Sequence, residues 1–463
     1  MQYVSTRGQA PNLGFCDAVL AGLASDGGLY LPAEWPQLSN DEIAALANRP
    51  YRDVAFEIIS RFVDGEIADT DLNSIIREAY SGFRHPSVAP LAELEPGLFV
   101  LELFHGPTLA FKDVAMQVLA RMMDHILAKR GQRATIIGAT SGDTGSAAIE
   151  AFRGRENTDI FILHPKGRVS PVQRRQMTTV LDENVHNIAL EGAFDDCQNL
   201  VKSLFLDKDF RDGVHLSGVN SINWGRIVAQ IVYYFTAATA LGAPHRKVSF
   251  TVPTGNFGDI FAGYAARQMG LPIEKLVIAT NSNDILRRTF QTGAYRTSDV
   301  VPTASPSMDI QISSNFERLL FESAQRDAQT IQAMMDSLKQ SGGFEIARGI
   351  MKNLTRFFSV GSANETETAQ AIASVLEHSE YLADPHTAVG LHVARQQKRI
   401  SAPMITLATA HPAKFPDAVR SASGIDPELP GWLSDLHERT ERCDVLANDT
   451  RTLQEYIRAR IRA

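Results

Sequence analysis

Short apolar runs alternate with amphipathic stretches over most of the chain, and this alternation sets the first expectations. The runs are Ala134–Gly138, Asp159–Leu163, Val185–Leu190, Val248–Val252, Lys275–Ala279 and Met404–Ala408. Runs this continuous suit strands buried on both faces, as in a mainly parallel sheet covered by helices. Between them, Thr144–Phe152, Asp196–Leu206, Trp224–Leu241 and Asp259–Met269 carry helical periodicity. Strand and helix repeating at this spacing predict βαβ units, and so an α/β fold.

The flanks read differently. Helical periodicity at Asp41–Ala47 and Tyr51–Phe62, with a turn at Asp26-Gly27-Gly28, makes the start of the chain mixed. A polar helical region, Asn315–Leu354, reads as an insertion between sheet strands. The tail reads as helical, with Asp449-Thr450 placed to cap a helix bearing Leu453, Tyr456 and Ile457. The pattern thus divides the chain into an N-terminal domain over 1–95, a first α/β lobe over 96–240, a second over 241–428 carrying the insertion 315–354, and a helical tail over 429–463. A chain of 463 residues exceeds one hydrophobic core, which agrees with several domains.

Composition mainly excludes. A net charge of -8 argues against a protein that coats nucleic acid or an anionic membrane. The cysteines Cys16, Cys197 and Cys443 lie too far apart for a CxxC or zinc pattern, and no HExxH occurs, so no metal is expected. Few cysteines and an N-terminus without an apolar core suit the cytoplasm. The most membrane-like stretch, Ile227–Ala243, is short and interrupted by Gln230, Thr236 and Thr239, so a buried helix is expected there.

Three segments carry candidate chemistry. IIGATSGDTGSAA and FTVPTGNFGDIFAG each read as a buried strand, a loop of small residues and a helix. Glycine lets backbone N–H groups converge on an anion, and the helix N-terminus adds partial positive charge. Each loop is also what a tight strand-to-helix turn requires, and neither matches GxxxxGK[ST] or GxGxxG. Two such loops in one α/β sheet favour a ligand site at the strand C-termini. The third segment, LFHGPTLAFKDVAMQ, sets Lys112 among apolar residues at the apparent start of a helix. Such a lysine either snorkels to solvent or is a desolvated, nucleophilic amine. Composition alone leaves both open.

FHGPTLAFKD resembles the cofactor-lysine segment of threonine synthases, which are pyridoxal-phosphate enzymes of the tryptophan-synthase β fold type. GLASDGGLYLP, GATSGDTGSAA, HPKGRVSPVQRRQMTT, VPTGNFGDIFAGY, SSNFERLL and ATAHPAKFPDAV also resemble blocks of that family, in the family's order and over nearly the whole chain. The resemblance is strongest to its longer bacterial and fungal branch. It implies two mainly parallel-sheet lobes with the cofactor between them, the fold type II of pyridoxal-phosphate enzymes. It implies conversion of O-phospho-L-homoserine and water to L-threonine and phosphate by γ-elimination and β-addition of water, in a monomer or small homo-oligomer.

Residue by residue, the resemblance makes Lys112 the catalytic Schiff-base lysine. It makes Gly255, Asn256, Phe257 and Gly258 the cradle of the cofactor phosphate and Thr409 the partner of the pyridine nitrogen. Asp143 stands where many relatives carry an asparagine that contacts the cofactor's 3′ oxygen. Thr140, Ser141 and Thr144 would receive the substrate's α-carboxylate. Candidates for its phosphate are Asn220, Ser221, Asn223, Arg226, Arg168, Ser314 and Asn315. Asp259 is expected to cap its helix, since a carboxylate beside a dianion is repelled, and Arg174 and Arg175 read as a solvated helix face. The nearest rivals are a serine or threonine dehydratase and a β-replacing synthase of the same fold type. More distant ones are a non-catalytic relative and a nucleotide-binding protein.

Overall fold

The computed structural model describes residues 1–462 apart from 219, 398 and 399, so the last residue of the expected tail, Ala463, lies outside it. Two sheets organise the chain. The first has five strands in the order 444–446, 185–190, 158–165, 134–139 and 216–218, all parallel. Its central strand Thr158–Pro165 is buried at every position, which is why its middle, Ile160–Leu163, is continuously apolar rather than alternating. The second sheet has six strands in the order 358–362, 273–280, 248–253, 404–408, 98–102 and 91–95. All its pairings are parallel except the last. The apolar runs foreseen from sequence all became strands of these two sheets.

Sheet membership does not follow chain order. Leu91–Glu95 and Leu98–Glu102 form a hairpin around Pro96-Gly97, with Gly97 at φ +80°, and Leu98–Glu102 pairs with Met404–Ala408 of the second sheet. The hairpin therefore straddles residue 95 and belongs with strands that come 150 or more residues later. The tail is not wholly helical. Asp444–Leu446 adds a parallel strand to the edge of Val185–Leu190, and the one long helix is Thr450–Arg458, whose N-cap Asp449 accepts from Thr452 N at 2.7 Å. Arg174 and Arg175 are not a solvated face. They bind Glu441, and Arg175 also donates to the carbonyls of Leu436 and Arg439, clamping the tail onto helix Pro171–Thr178.

The insertion holds helices Phe316–Ser323, Ala328–Ser341 and Arg348–Phe357, with a short strand 343–345 paired to 294–296. Helix Trp224–Ala240 is buried along most of its length between helices Tyr51–Val63, Lys112–Arg130 and Gly258–Gln268. No helix among the described residues is long and apolar enough to cross a membrane. The N-terminal residues pair as strands 3–5 and 30–32, and Tyr3 and Phe62 set their rings against Trp224. Arg318, fully buried, donates to the carbonyls of Tyr30 and Ile222 and to the Asn315 side chain, joining N-terminal residues to both lobes.

Candidate active site

Lys112 is the first residue of helix Lys112–Arg130, and the turn before it is fixed by an isolated antiparallel bridge between Ala110 and Ala410. Phe111 N donates to Thr409 O at 2.8 Å, which brings Thr409 within one residue of the lysine in the chain path. Of the two readings left open by the sequence, snorkelling fails: Lys112 is only 7% exposed. Its Nζ lies 3.6 Å from Asp143 Oδ2 and donates to Ser307 Oγ at 3.5 Å. Burial pushes the Lys112 ammonium below the usual lysine range; Asp143 opposes this, while the charges of Lys414 and Arg226 add to it. Burial thus makes the free amine easier to reach here than at an exposed lysine.

Asp143 opens helix Asp143–Phe152 and is itself buried. Its Oδ1 takes Gln173 Nε2 at 2.8 Å and Lys414 Nζ at 2.9 Å, and its Oδ2 takes Ser307 Oγ at 2.9 Å. Burial alone would raise this carboxyl, but Lys414 and Lys112 hold it well below the carboxylate range. Ser307 is oriented in turn: its backbone N donates to His386 Nε2 at 3.2 Å, and His386 Nδ1 bonds Asp384 at 2.7 Å. Since Nε2 accepts, the imidazole carries its proton on Nδ1.

The loop 138–145 folds around Thr140, whose Oγ1 accepts from Gly142 N at 2.9 Å and Gly145 N at 2.8 Å. Ser141 is exposed and Thr144 half-buried. In the second glycine loop, Phe257 has φ +65° and begins helix Gly258–Gln268. A Cβ on Gly255 would come within 2.8 Å of Ser307 O, so position 255 has no room for a side chain. Among the described residues the backbone N–H groups of Gly255, Asn256, Phe257 and Gly258 donate to no partner. Four bare donors at a helix N-terminus form a fitting seat for a phosphate.

Arg226 supplies a second sign of an anion. It is 4% exposed, and its Nε and Nη1 have no partner among the described residues, a costly state for a guanidinium without a ligand. Burial pushes it down to about 10. Other expected phosphate ligands are already committed. Asn223 caps helix Trp224–Ala240 through Gly225 N and donates to Val19 O, which uses both ends of its amide. Asn315 donates to Ser221 O and Asn256 O and accepts from Arg318, so it ties loops together. Ser314 and Ser221 are half-buried, whereas Asn220 and Arg168 are exposed. Asp259 does not cap its helix: its Oδ1 accepts from the hydroxyls of Tyr233 and Tyr234, and burial pushes the carboxyl up to about 6.

Sequence reasoning missed Lys414, Ser307, His386 and Gln173. Lys414 lies in the segment ATAHPAKFPDAV, five residues after Thr409, where a lysine before a phenylalanine gives no local sign of burial.

Three family models match the chain: "Threonine synthase N terminus" over residues 2–80, "Pyridoxal-phosphate dependent enzyme" over 84–409 and "Threonine synthase, C-terminal" over 387–457. A threonine synthase of Pseudomonas aeruginosa is 54% identical over 459 residues, covering 99% of this chain and 98% of the relative. A solved pyridoxal-phosphate-bound threonine synthase from Brucella melitensis is 62% identical, with a TM-score of 0.99 over 100% of both chains. The yeast threonine synthase structure is 40% identical, with a TM-score of 0.94 over 99% of this chain and 98% of that one.

Proposed function

Because the chain belongs to the threonine synthase family, as matches along its whole length show, we infer that it converts O-phospho-L-homoserine and water to L-threonine and phosphate. In that reaction the γ-carbon gains a hydrogen in place of phosphate, and the β-carbon loses a hydrogen and gains a hydroxyl. The observation that carries the reading is a buried, deprotonation-prone amine at Lys112, beside an unpartnered guanidinium and a turn of bare N–H groups. That donor set suits a reactive aldehyde with an anionic tail and a second phosphate on the substrate.

Pyridoxal phosphate, when bound, supplies a conjugated ring that takes up negative charge from the substrate's α-carbon. Lys112 would hold its aldehyde carbon, the Gly255–Gly258 turn its phosphate and Thr409 its ring nitrogen. Once the substrate's amine has displaced it, Lys112 Nζ, whose ammonium burial disfavours, would take the α-proton, give it up again and then take the β-proton, one amine serving successive steps. The Thr140–Gly145 loop receives the α-carboxylate, with Ser141 and Thr144 as hydroxyl donors. Arg226 receives the substrate phosphate through Nε and Nη1. The same reading sets the protein in the cytoplasm as a monomer or small homo-oligomer.

Product analysis decides the reaction: phosphohomoserine yields threonine and phosphate, and L-serine yields no pyruvate. The opposite pattern would make the chain a dehydratase. For Arg226, the Arg226→Met variant raises KM for phosphohomoserine by roughly 10- to 100-fold, the worth of a charge-assisted hydrogen bond, while cofactor affinity is unchanged. Weakened cofactor uptake with an unchanged KM would instead assign Arg226 to the cofactor phosphate.

A further inference from the structure

A second lysine is buried in the same site, and the reaction as derived gives it nothing to do. Lys414 ends the short turn Pro412–Lys414 after strand Met404–Ala408 and is 0% exposed. Its three ammonium donors are all used: on Asp143 Oδ1 at 2.9 Å, Thr108 O at 2.7 Å and Gln176 Oε1 at 3.2 Å. Gln176 Nε2 also donates to Thr108 O at 3.1 Å, so the acceptors are themselves fixed. A buried ion pair is rarely the most stable filling for such a space, since apolar residues of similar volume often do as well or better. Asp143 and Lys414 together therefore call for an explanation other than stability.

Charge arithmetic around Lys112 gives one. Facing its amine are Asp143 from the start of helix Asp143–Phe152, Lys414 from the turn 412–414 and Arg226 from helix Trp224–Ala240, with the Ser307 hydroxyl between. Asp113 lies next in sequence but turns to Thr108, whose N and Oγ1 donate to it at 2.8 and 2.6 Å. Behind Asp143 stands His386, held by Asp384. Among the described residues Asp143 is thus the one carboxylate directed at the amine, at 3.6 Å, and uncompensated it would hold Lys112 as an ammonium. An ammonium can neither attack an aldehyde nor take a proton.

We propose that Lys414 is a positioning residue that neutralises Asp143 across the site, so that Lys112 remains a free amine while Asp143 is kept ionised and fixed beside it. The assignment rests on Lys112 being the cofactor lysine. It explains why the site keeps a carboxylate at 143 only in company with a fully bonded cation.

The test follows uptake of pyridoxal phosphate by the cofactor-free full-length chain across pH, by visible absorbance, together with the pH–rate profile for phosphohomoserine. Uptake requires unprotonated Lys112, so raising its pKa moves the rising limb to higher pH. Lys414→Met moves that limb up by about one pH unit or more, and slows uptake at neutral pH about tenfold or more accordingly. Asp143→Asn moves the limb down. The double variant Asp143→Asn/Lys414→Met, which removes two opposing influences, returns the limb to near the wild-type position, and Lys414→Arg retains it. A purely structural clip would lower the yield of folded protein without moving the limb in opposite directions for the two single variants. Should Lys414→Met not fold, the comparison of Asp143→Asn with the double variant carries the test. Coincident limbs in that pair, or an unmoved limb in folded Lys414→Met, would overturn the proposal. A wild-type protein that makes no threonine from phosphohomoserine would instead overturn the functional reading beneath it.

Discussion

Replacing Lys112 with alanine removes turnover by roughly a thousandfold or more, because in the proposed reaction the one amine both anchors the cofactor and moves the protons. The purified variant also loses the visible absorbance that a lysine-linked cofactor gives. The size of the effect comes from the surroundings. Lys112 is buried, its amine faces Asp143 and Ser307, and among the described residues no other free amine shares that space, since the donors of Lys414 are all spent on other acceptors. Activity assays with phosphohomoserine and an absorbance scan check both parts. A soluble Lys112→Ala protein with near wild-type turnover would end the assignment of this lysine.

The second large effect is on stability. Arg318 is fully buried and makes hydrogen bonds to Tyr30 O at 2.9 and 2.7 Å and to Ile222 O at 2.7 Å, besides its contact with Asn315. Arg318→Met leaves those acceptors in the interior without a donor. Breaking a buried charged network of this kind costs about 3–5 kcal/mol. The loss also reaches the site, because Asn315 holds the carbonyls of Ser221 and Asn256 and so shapes the turn Gly255–Gly258. Denaturant unfolding should show the lowered midpoint, and cofactor affinity should fall with it. An unchanged midpoint would mean that the N-terminal strands hold to the lobes by apolar contact alone, through Tyr3, Phe62 and Trp224.

The strands of the two sheets were legible because burial on both faces leaves an apolar run, as at Ile160–Leu163 and Met404–Ala408. The hairpin 91–102 is harder to read, despite its Pro96-Gly97 turn between two five-residue strands. Half-buried edge strands carry charges, as LAELE does, and so blur into surface sequence. Asp444–Leu446 is a weaker signal still: two of its three residues are exposed, and only its pairing with Ile188–Leu190 makes it a strand.

The site divides along similar lines. Lys112 and the two glycine loops announce themselves, since an amine in an apolar run and a glycine cluster after a strand are local patterns. Asn223 caps a helix and Asn315 ties loops together, and an amide serves a cap or a tie as readily as a phosphate, so sequence does not say which. Asp259 was placed correctly on its helix but faces Tyr233 and Tyr234, which lie a helix away in the chain. Lys414, Ser307 and His386 come from segments 160 or more residues beyond Asp143 in the sequence. Their relation to it is created by the meeting of the lobes, and no spacing rule reports that.

The most direct test is to reduce the cofactor-loaded protein with borohydride, which fixes the bond between lysine and cofactor, and to map the modified peptide by mass. The account predicts one modified lysine, Lys112, in the peptide spanning GPTLAFK. A cofactor fixed to Lys414, or to no lysine at all, would contradict it.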